Sequence, residues 1–313
     1  MLRTTSLEHP AHISRLKLFL ALSRTPHGLL DLATPILGAV LWLDGFPPAE
    51  IMAIGLITAF SGYTAVYAFN DVVDYWVDQE KLQVSGLPES EGDLDSVFAR
   101  HPLARHMLSY RQGFFWAAAW ALLGLAGSYW LNPVCAVIFL AASFLEFLYC
   151  RLLKITYLRG IISGVVKNSG AMAAVFAVDP APSFPFLAVL FIWLFFWEIG
   201  GQNVPNDWSD LREDESLKAK TIPVYFGPKR STWVIMISLM IAVVMSLLIV
   251  WVAPGRLGLV YLIGAFISGL YFLVLPASRL LKNKDSRESC NLFNRASYYP
   301  SAMLLVTIIN WLF

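Results

Sequence analysis

The residues best suited to chemistry in this 313-residue chain are aspartates, and they occur as a repeat. Asn70-Asp71-x-x-Asp74-x-x-x-Asp78 and Asn206-Asp207-x-x-Asp210-x-x-x-Asp214 follow one template at an offset of 136 residues, and together hold six of the chain's twelve Asp. At helical periodicity the three Asp of each copy share one stripe. Three carboxylates on one stripe repel one another and are costly near a membrane, so a positive partner must compensate them. Hard divalent cations favour oxygen ligands, and Mg2+ commonly takes one or two carboxylates together with substrate phosphates. Asn70 and Asn206 add neutral oxygens beside the carboxylates. Two facing stripes can therefore clamp Mg2+ ions that in turn hold a diphosphate. Neither copy contains His or Cys, which argues against zinc or iron. The plainer alternative is a pair of solvated acidic helix ends, which the duplication of the template on one face disfavours.

The elements that must position these residues are membrane helices. Hydrophobic residues make up 57% of the chain and charged residues 14%, against about 45–50% and about 25% in soluble domains. One soluble core of this length could not bury that much apolar surface. A soluble enzyme, a nucleic-acid binder and a disordered regulator are excluded on these grounds, and the net charge of +1 offers no polyanion-binding field. The expectation is an all-α polytopic membrane protein forming one domain over residues 1–313. About nine spans are predicted: Leu16–Leu43, Ile51–Phe69, Leu108–Leu131, Val134–Tyr149, Gly160–Val178, Phe186–Gln202, Trp233–Val252, Leu257–Leu275 and Leu292–Phe313. The segment Met1–Ser14 lacks the apolar core of a secretory signal, so the first span is expected to be retained. Cys135, Cys150 and Cys290 show no paired or metal-ligand spacing and read as free thiols.

Of the 23 Lys and Arg, 21 fall in or near the segments on one side, Arg256 alone falls on the other, and Lys167 lies within the fifth span. The positive-inside rule makes that side, and the N-terminus, cytoplasmic. The odd span count then places the C-terminus outside. Both Asp copies follow even-numbered spans, so both belong to the cytoplasmic face of the cell membrane.

The two Asp segments resemble those of the UbiA-type intramembrane prenyltransferases. The second continues through Arg212-Glu213-Asp214 into Lys220-Thr221-Ile222-Pro223 and Gly227, like the Lys-Thr-Pro segment of that family. Tyr149 with Lys154, and Arg24-Thr25-Pro26 near the first span, match further family features. One stretch departs: where relatives carry an Arg-Pro-rich segment after the first motif, this chain has Glu89, Glu91, Asp93 and Asp95, then Arg100-His101-Pro102-Leu103-Ala104-Arg105 as a displaced equivalent. The acidic stretch reads as a solvated surface loop.

The resemblance implies nine helices around a central cavity and transfer of an isoprenyl group from an allylic diphosphate to a lipophilic acceptor. It implies two Mg2+ ions held by Asn70, Asp71, Asp74, Asp78, Asn206, Asp207, Asp210 and Asp214. Arg24, Lys154 and Lys220 would add cationic contacts to the diphosphate, and Tyr149 would bond the leaving group or face the carbocation. An allylic cation needs shielding from water and π-faces; Trp76, Trp197, Trp208, Phe144 and Phe147 lie near the motifs, although packing or lipid contact is the simpler role for each.

Ionisable groups at membrane depth are functional candidates by default. Here they are Asp31, Glu146, Lys167 and Glu198, with Asn168 beside them. Glu198 is the one expected to orient or deprotonate the acceptor. His27 is expected to pack. The acceptor is expected to be a small aromatic molecule, in the manner of a quinone precursor, with membrane lipid as the surroundings and neither nucleic acid nor an obligate protein as partner. Two other readings fit part of this pattern. A terpene cyclase of the same superfamily would ionise the same diphosphate. A divalent-cation or metabolite transporter would use paired acidic gates, but its sites belong near the bilayer midplane, not at the span ends.

Overall fold

The computed structural model describes residues 13–85 and 94–312. Glu89, Glu91 and Asp93 therefore lie outside the described residues. All regular elements among the described residues are helical. Among the described residues, eight helical segments are long and apolar enough to cross a membrane. The first expected span is divided into α1 (Arg15–Leu22), α2 (Thr25–Asp31) and α3 (Ala33–Leu43), with α2 and α3 together making the crossing. Arg24 separates α1 from α2 in the left-handed region, at φ 44°. Side chains other than Gly, Asn and Asp rarely occupy it.

The second span is α4 (Ala49–Val73), and α5 (Tyr75–Ser85) continues it beyond the span. Then come α6 (Tyr110–Leu131), α7 (Pro133–Arg151) and α8 (Arg159–Val178). Ser109 and Gln112 form a reciprocal cap at the start of α6. α4 packs along α6, α7 along α8, and α8 against α3. The α4–α6 approach needs a missing side chain: a Cβ on Gly127 would stand 2.1 Å from Thr58 Oγ1.

The sixth span combines α9 (Phe184–Trp197), a π-helical turn over Glu198–Asn203 and α10 (Val204–Ser209). The short α11 (Leu211–Ser216) follows. α12 (Ile222–Leu248) is bent at Gly227, whose φ of 74° and following Pro228 interrupt the helix before the membrane crossing proper. α13 (Leu259–Gly269) joins α14 (Leu275–Asn283) through a second π-helical turn to make the eighth span.

The expected ninth span over 292–313 takes a different form. It is built from α15 (Ser286–Ser297) and α16 (Tyr299–Asn310), each 12 residues long and joined at Tyr298. Neither alone has the length for a crossing. α16 packs on α13 and α3, and α15 on α10 and α14. The largest apolar core fills this second half, with Phe186, Trp193, Trp197, Trp208, Tyr261 and Tyr299 buried. Many large apolar side chains of α6 and α7 are exposed instead, including Phe115, Leu122, Val137 and Phe144. Their helices cross the membrane, so those faces meet lipid and not water.

Candidate active site

Both Asp motifs break at their central aspartate. α4 ends at Val73 and α5 begins at Tyr75, with Asp74 between them at φ −85°, ψ 1°. α10 ends at Ser209 and α11 begins at Leu211, with Asp210 at φ −93°, ψ 10°. The repeat thus extends to the backbone. The hydrogen bonds across each break keep helical order: the Asp78 N–H donates to the Asp74 carbonyl at 2.8 Å, and the Asp214 N–H to the Asp210 carbonyl at 2.9 Å. The stripe expected from spacing therefore survives as two short stripes hinged at the middle carboxylate.

All six aspartates line one cavity of about 550 Å³, with Asn70, Asn206, Arg24, Tyr149 and Glu198 also in its wall. Asp71, Asp78, Asp207 and Asp214 are buried. Burying charge requires partners, and the chain supplies them from elsewhere. Arg24 Nη2 lies 3.5 Å from Asp71. His101 Nδ1 lies 3.0 Å from Asp78. Arg159 Nη2 lies 2.8 Å from Asp207. Arg100 reaches Asp210 at 2.9 Å and also holds Glu213 with two bonds, at 3.0 and 3.2 Å. Lys81 Nζ lies 3.9 Å from Asp214.

These pairs are unequal to the charge they face. Burial, reinforced by the Asp78 carboxylate, pushes the Asp74 carboxyl up to about 7. Burial, with Asp207 and Asp210 beside it, pushes Asp214 up to about 7 in spite of Lys81. Asp78 moves the other way: although burial would raise it, the charge and hydrogen bond of His101 hold it below its ordinary value. Burial would lower Lys81, but Asp78, Asp210 and Asp214 around it push its ammonium up. Two carboxyls poised near neutrality mark a site short of positive charge.

The other expected residues divide into those in the cavity and those outside it. The Tyr149 hydroxyl accepts from Asn203 Nδ2 at 3.0 Å, and the Arg159 guanidinium sits 4.3 Å from the Tyr149 ring centroid. Asn70 Nδ2 donates to Glu146 at 2.9 Å, so its amide group is turned partly away from the aspartates. Lys154 does not line the cavity. It follows the end of α7 at Leu152, is exposed, and pairs with Glu80 at 2.7 Å. The Lys220 side chain is exposed as well; the residue ties the loop through its backbone N–H to the Leu153 carbonyl at 2.8 Å. The five aromatics near the motifs also lie outside: Trp197 and Trp208 are core residues, while Trp76, Phe144 and Phe147 are exposed. The cavity's own aromatics are Phe46, Tyr63, Tyr67, Phe139, Tyr149 and Phe293.

Four site residues lay beyond the sequence reading of the motifs. Lys81 stands three residues after Asp78, so helical spacing alone could have found it. Arg159, at the start of α8, carried no such signal. Asp95 is not a solvated loop carboxylate: it bonds Arg24 Nη1 at 2.9 Å and His27 Nδ1 at 2.5 Å. Those two cations hold its carboxyl well below the usual range in spite of burial. His101 brings a nitrogen to the first motif, and Asp71, Asp78 and His101 place one ligand atom each within 4.8 Å of one another. The sequence of the motifs contains no such nitrogen.

With this geometry in view, the comparisons with known proteins agree. The model of the UbiA prenyltransferase family matches residues 32–298. The chain belongs to the UbiA prenyltransferase family. It is 25% identical to a digeranylgeranylglyceryl phosphate synthase of Pyrococcus furiosus, over 76% of this chain and 79% of that protein. It is likewise 25% identical to a protoheme IX farnesyltransferase of Cutibacterium acnes, over 85% of this chain and 76% of that one. The fold matches a UbiA homologue of Archaeoglobus fulgidus, solved bound to DMAPP and Mg2+, with a TM-score of 0.66, 17% identity, and coverage of 93% of this chain and 99% of that one. The UbiA member described here is thus a multi-pass membrane prenyltransferase.

Proposed function

We propose that this prenyltransferase moves an isoprenyl group from an allylic isoprenyl diphosphate to a lipophilic acceptor within the membrane, with Mg2+ held by the two aspartate motifs. The convergence of six motif aspartates on one cavity carries this reading. The donor set fits Mg2+: carboxylate oxygens of Asp74, Asp207, Asp210 and Asp214 with amide oxygens of Asn70 and Asn206 are hard ligands. Asp74 and Asp214, both raised to about 7, are carboxyls that a further cation would return to the charged form. Bound there, Mg2+ would neutralise the diphosphate and favour its departure.

The chain's own groups do the rest. Arg24, Lys81, Arg100 and Arg159 present N–H donors around the carboxylates, where phosphate oxygens would lie. The C1–O bond of the donor breaks with its electron pair leaving on the diphosphate. The acceptor's nucleophile bonds to C1 and loses a proton to Glu198, a buried carboxylate of the cavity wall in the span that leads to the second motif. Tyr63, Tyr67 and Tyr149 offer π-faces to the allylic cation. Ile51, Leu56, Ile138 and Phe139 form an apolar limb suited to the isoprenyl tail and keep water from the cation. The Lys and Arg distribution supports placing this face in the cytoplasm. The relatives are named for a glyceryl phosphate ether and for protoheme, so family membership alone does not select the acceptor. A small aromatic acceptor, as in quinone precursors, is favoured by the tyrosine-lined wall.

The test is direct. Purified protein with Mg2+, radiolabelled dimethylallyl, farnesyl or geranylgeranyl diphosphate and an acceptor panel is expected to release pyrophosphate and form a prenylated product. Asp71→Ala, Asp74→Ala and Asp210→Ala are each expected to abolish turnover with helical circular dichroism retained. Wild-type activity in all three variants would overturn the assignment. Product lacking any acceptor atoms would indicate a cyclase.

A further inference from the structure

Towards the middle of the spans, the cavity wall changes character. His27, Tyr63, Tyr67, Ser163, Lys167 and Glu198 line this part, away from the aspartates that would hold the metal and diphosphate. Lys167 lies eight residues into α8, which sets it about 12 Å along the helix from Arg159. The cations here already have built-in anions. Lys167 Nζ lies 2.5 Å from Asp31 Oδ2 and donates to the Tyr67 hydroxyl at 2.6 Å. Tyr67 in turn donates to the same Asp31 oxygen at 2.5 Å, and Asp31 is 3% exposed. Arg24, at the upper edge, holds Asp95 and Asp71. His27 binds Asp95 through Nδ1, while its Nε2 faces Asp31 Oδ1 at 3.7 Å.

Two buried atoms in this wall are left without a hydrogen bond among the described residues, His27 Nε2 and Glu198 Oε2. The other Glu198 oxygen accepts from the Ser163 hydroxyl at 2.7 Å. Glu198 is 3% exposed and opens the π-helical turn of the sixth span. Such turns place side chains where a regular helix could not, and they recur at functional sites. A buried carboxylate oxygen with no donor is costly unless a ligand supplies one.

We propose that this region selects an acceptor with a neutral hydroxyl over one carrying a carboxylate or phosphate, with Glu198 accepting the hydroxyl proton in a hydrogen bond and Asp31 and Asp95 excluding anions. The proposal rests on the prenyltransferase reading above. A hydroxyl carries the functions these open atoms lack: it can donate to Glu198 Oε2 and, where His27 Nε2 bears a proton, accept from it. An anionic group has no proton for Glu198 and would lie against Asp31, Asp95 and Glu198. To bind Lys167 or Arg24 it must displace a resident carboxylate, leaving buried Asp31 to Tyr67 and His27, or Asp95 to His27, with one cation fewer. An ammonium group would meet Lys167. Asp31 and Asp95 act through Lys167, His27 and Arg24, and are positioning residues.

The experiment uses the full chain in lipid nanodiscs with Mg2+ and geranylgeranyl diphosphate. The probes are matched pairs: hydroquinone against 2,5-dihydroxybenzoate, and an alkylglycerol against its phosphate. Transfer kinetics are read beside probe binding in the presence of an unreactive thiolo-diphosphate analogue. The neutral member of each pair is expected to bind more tightly and to have at least a tenfold higher kcat/KM. Glu198→Gln is expected to raise the KM for the neutral acceptor about tenfold, converting to about 1.4 kcal/mol. Asp95→Asn, with its melting temperature as fold control, is expected to narrow the neutral-over-anionic ratio at least tenfold by making Arg24 and His27 available to an anion. A wild-type preference for the anionic member, failure of both neutral probes to bind, or a ratio unmoved by Asp95→Asn would each overturn the proposal. Failure of the thiolo analogue to bind, with no pyrophosphate released under any condition, would instead overturn the prenyltransferase reading.

Discussion

In the first Asp motif, Asp71 and Asp78 face Arg24 and His101, and Asp74 forms no ion pair with a described residue. In the second, each aspartate has a cation: Arg159 for Asp207, Arg100 for Asp210 and Lys81 for Asp214. The template, the backbone break and the i→i−4 bonds are duplicated, yet the counter-charges are not. They come from α2's leading residue, from α5, from α8 and from the segment ahead of α6. The first motif ends a regular helix, whereas the second follows a π-helical turn. Duplication therefore accounts for the ligands, and unduplicated parts of the chain set how strongly each is compensated. Two adjacent residues, Arg100 and His101, serve one motif each, so this short segment also spans the gap between the copies. His101 does so with a φ of 49°, in the left-handed region that Arg24 also occupies.

The comparison can be broken most sharply at the buried pair. Arg159→Ala strands Asp207, both partners being about 8% exposed. The expected loss is about 3 kcal/mol of stability and a fall in kcat/KM of about a hundredfold or more. Arg24→Ala, at the longer 3.5 Å contact of the first motif, is expected to cost about tenfold less in kcat/KM than Arg159→Ala. Equal effects, read from thermal unfolding and steady-state kinetics, would erase the asymmetry. Next in size, Arg100→Ala removes the contacts to Asp210 and Glu213 together. It is expected to raise the diphosphate KM about thirtyfold, against about fivefold for His101→Ala.

A pH series sharpens what the motifs share. With Asp74 and Asp214 each raised to about 7, one carboxyl of each copy is protonated at pH 6 and ionised at pH 8. Metal binding needs the ionised form, so Mg2+ affinity is expected to rise about tenfold or more over that interval. Calorimetry in buffers of different ionisation enthalpy is expected to show proton release near pH 6.5 and almost none at pH 8.5. The smallest effect is expected from Lys154→Ala. Its exposed pair with Glu80 contributes at most about 0.5 kcal/mol, and kcat/KM should change less than twofold.

Much of the architecture was legible because its signals are local. Apolar runs located the eight spans, and the i, i+3, i+7 spacing found both motifs. For the last apolar run the sequence did not show the form: an amphipathic α15 and an apolar α16 adjoin at Tyr298, a division that hydrophobicity alone does not reveal. Lys154 misled because its spacing from Tyr149 carries it past the end of α7, where the chain turns away from the cavity. Asp95 was hidden by its acidic neighbours in sequence; a run of acidic residues cannot tell a surface carboxylate from one folded back onto Arg24. Glu198 was visible as a carboxylate in an apolar run, but its unpartnered oxygen was not.

By itself, the sequence determined that the chain crosses the membrane, that its basic residues gather on one side and that two carboxylate stripes lie at span ends. Each of these follows from transfer free energy or helical periodicity over fewer than about thirty residues. The tertiary structure alone decided which cation meets which aspartate and which carboxylates occupy the mid-membrane part of the cavity. Arg24 and Asp95 are 71 residues apart, and Lys167 and Asp31 are 136 apart. Such pairs exist only after helices distant in sequence have packed, because a charge buried among apolar spans must be answered by whatever charge the fold brings beside it.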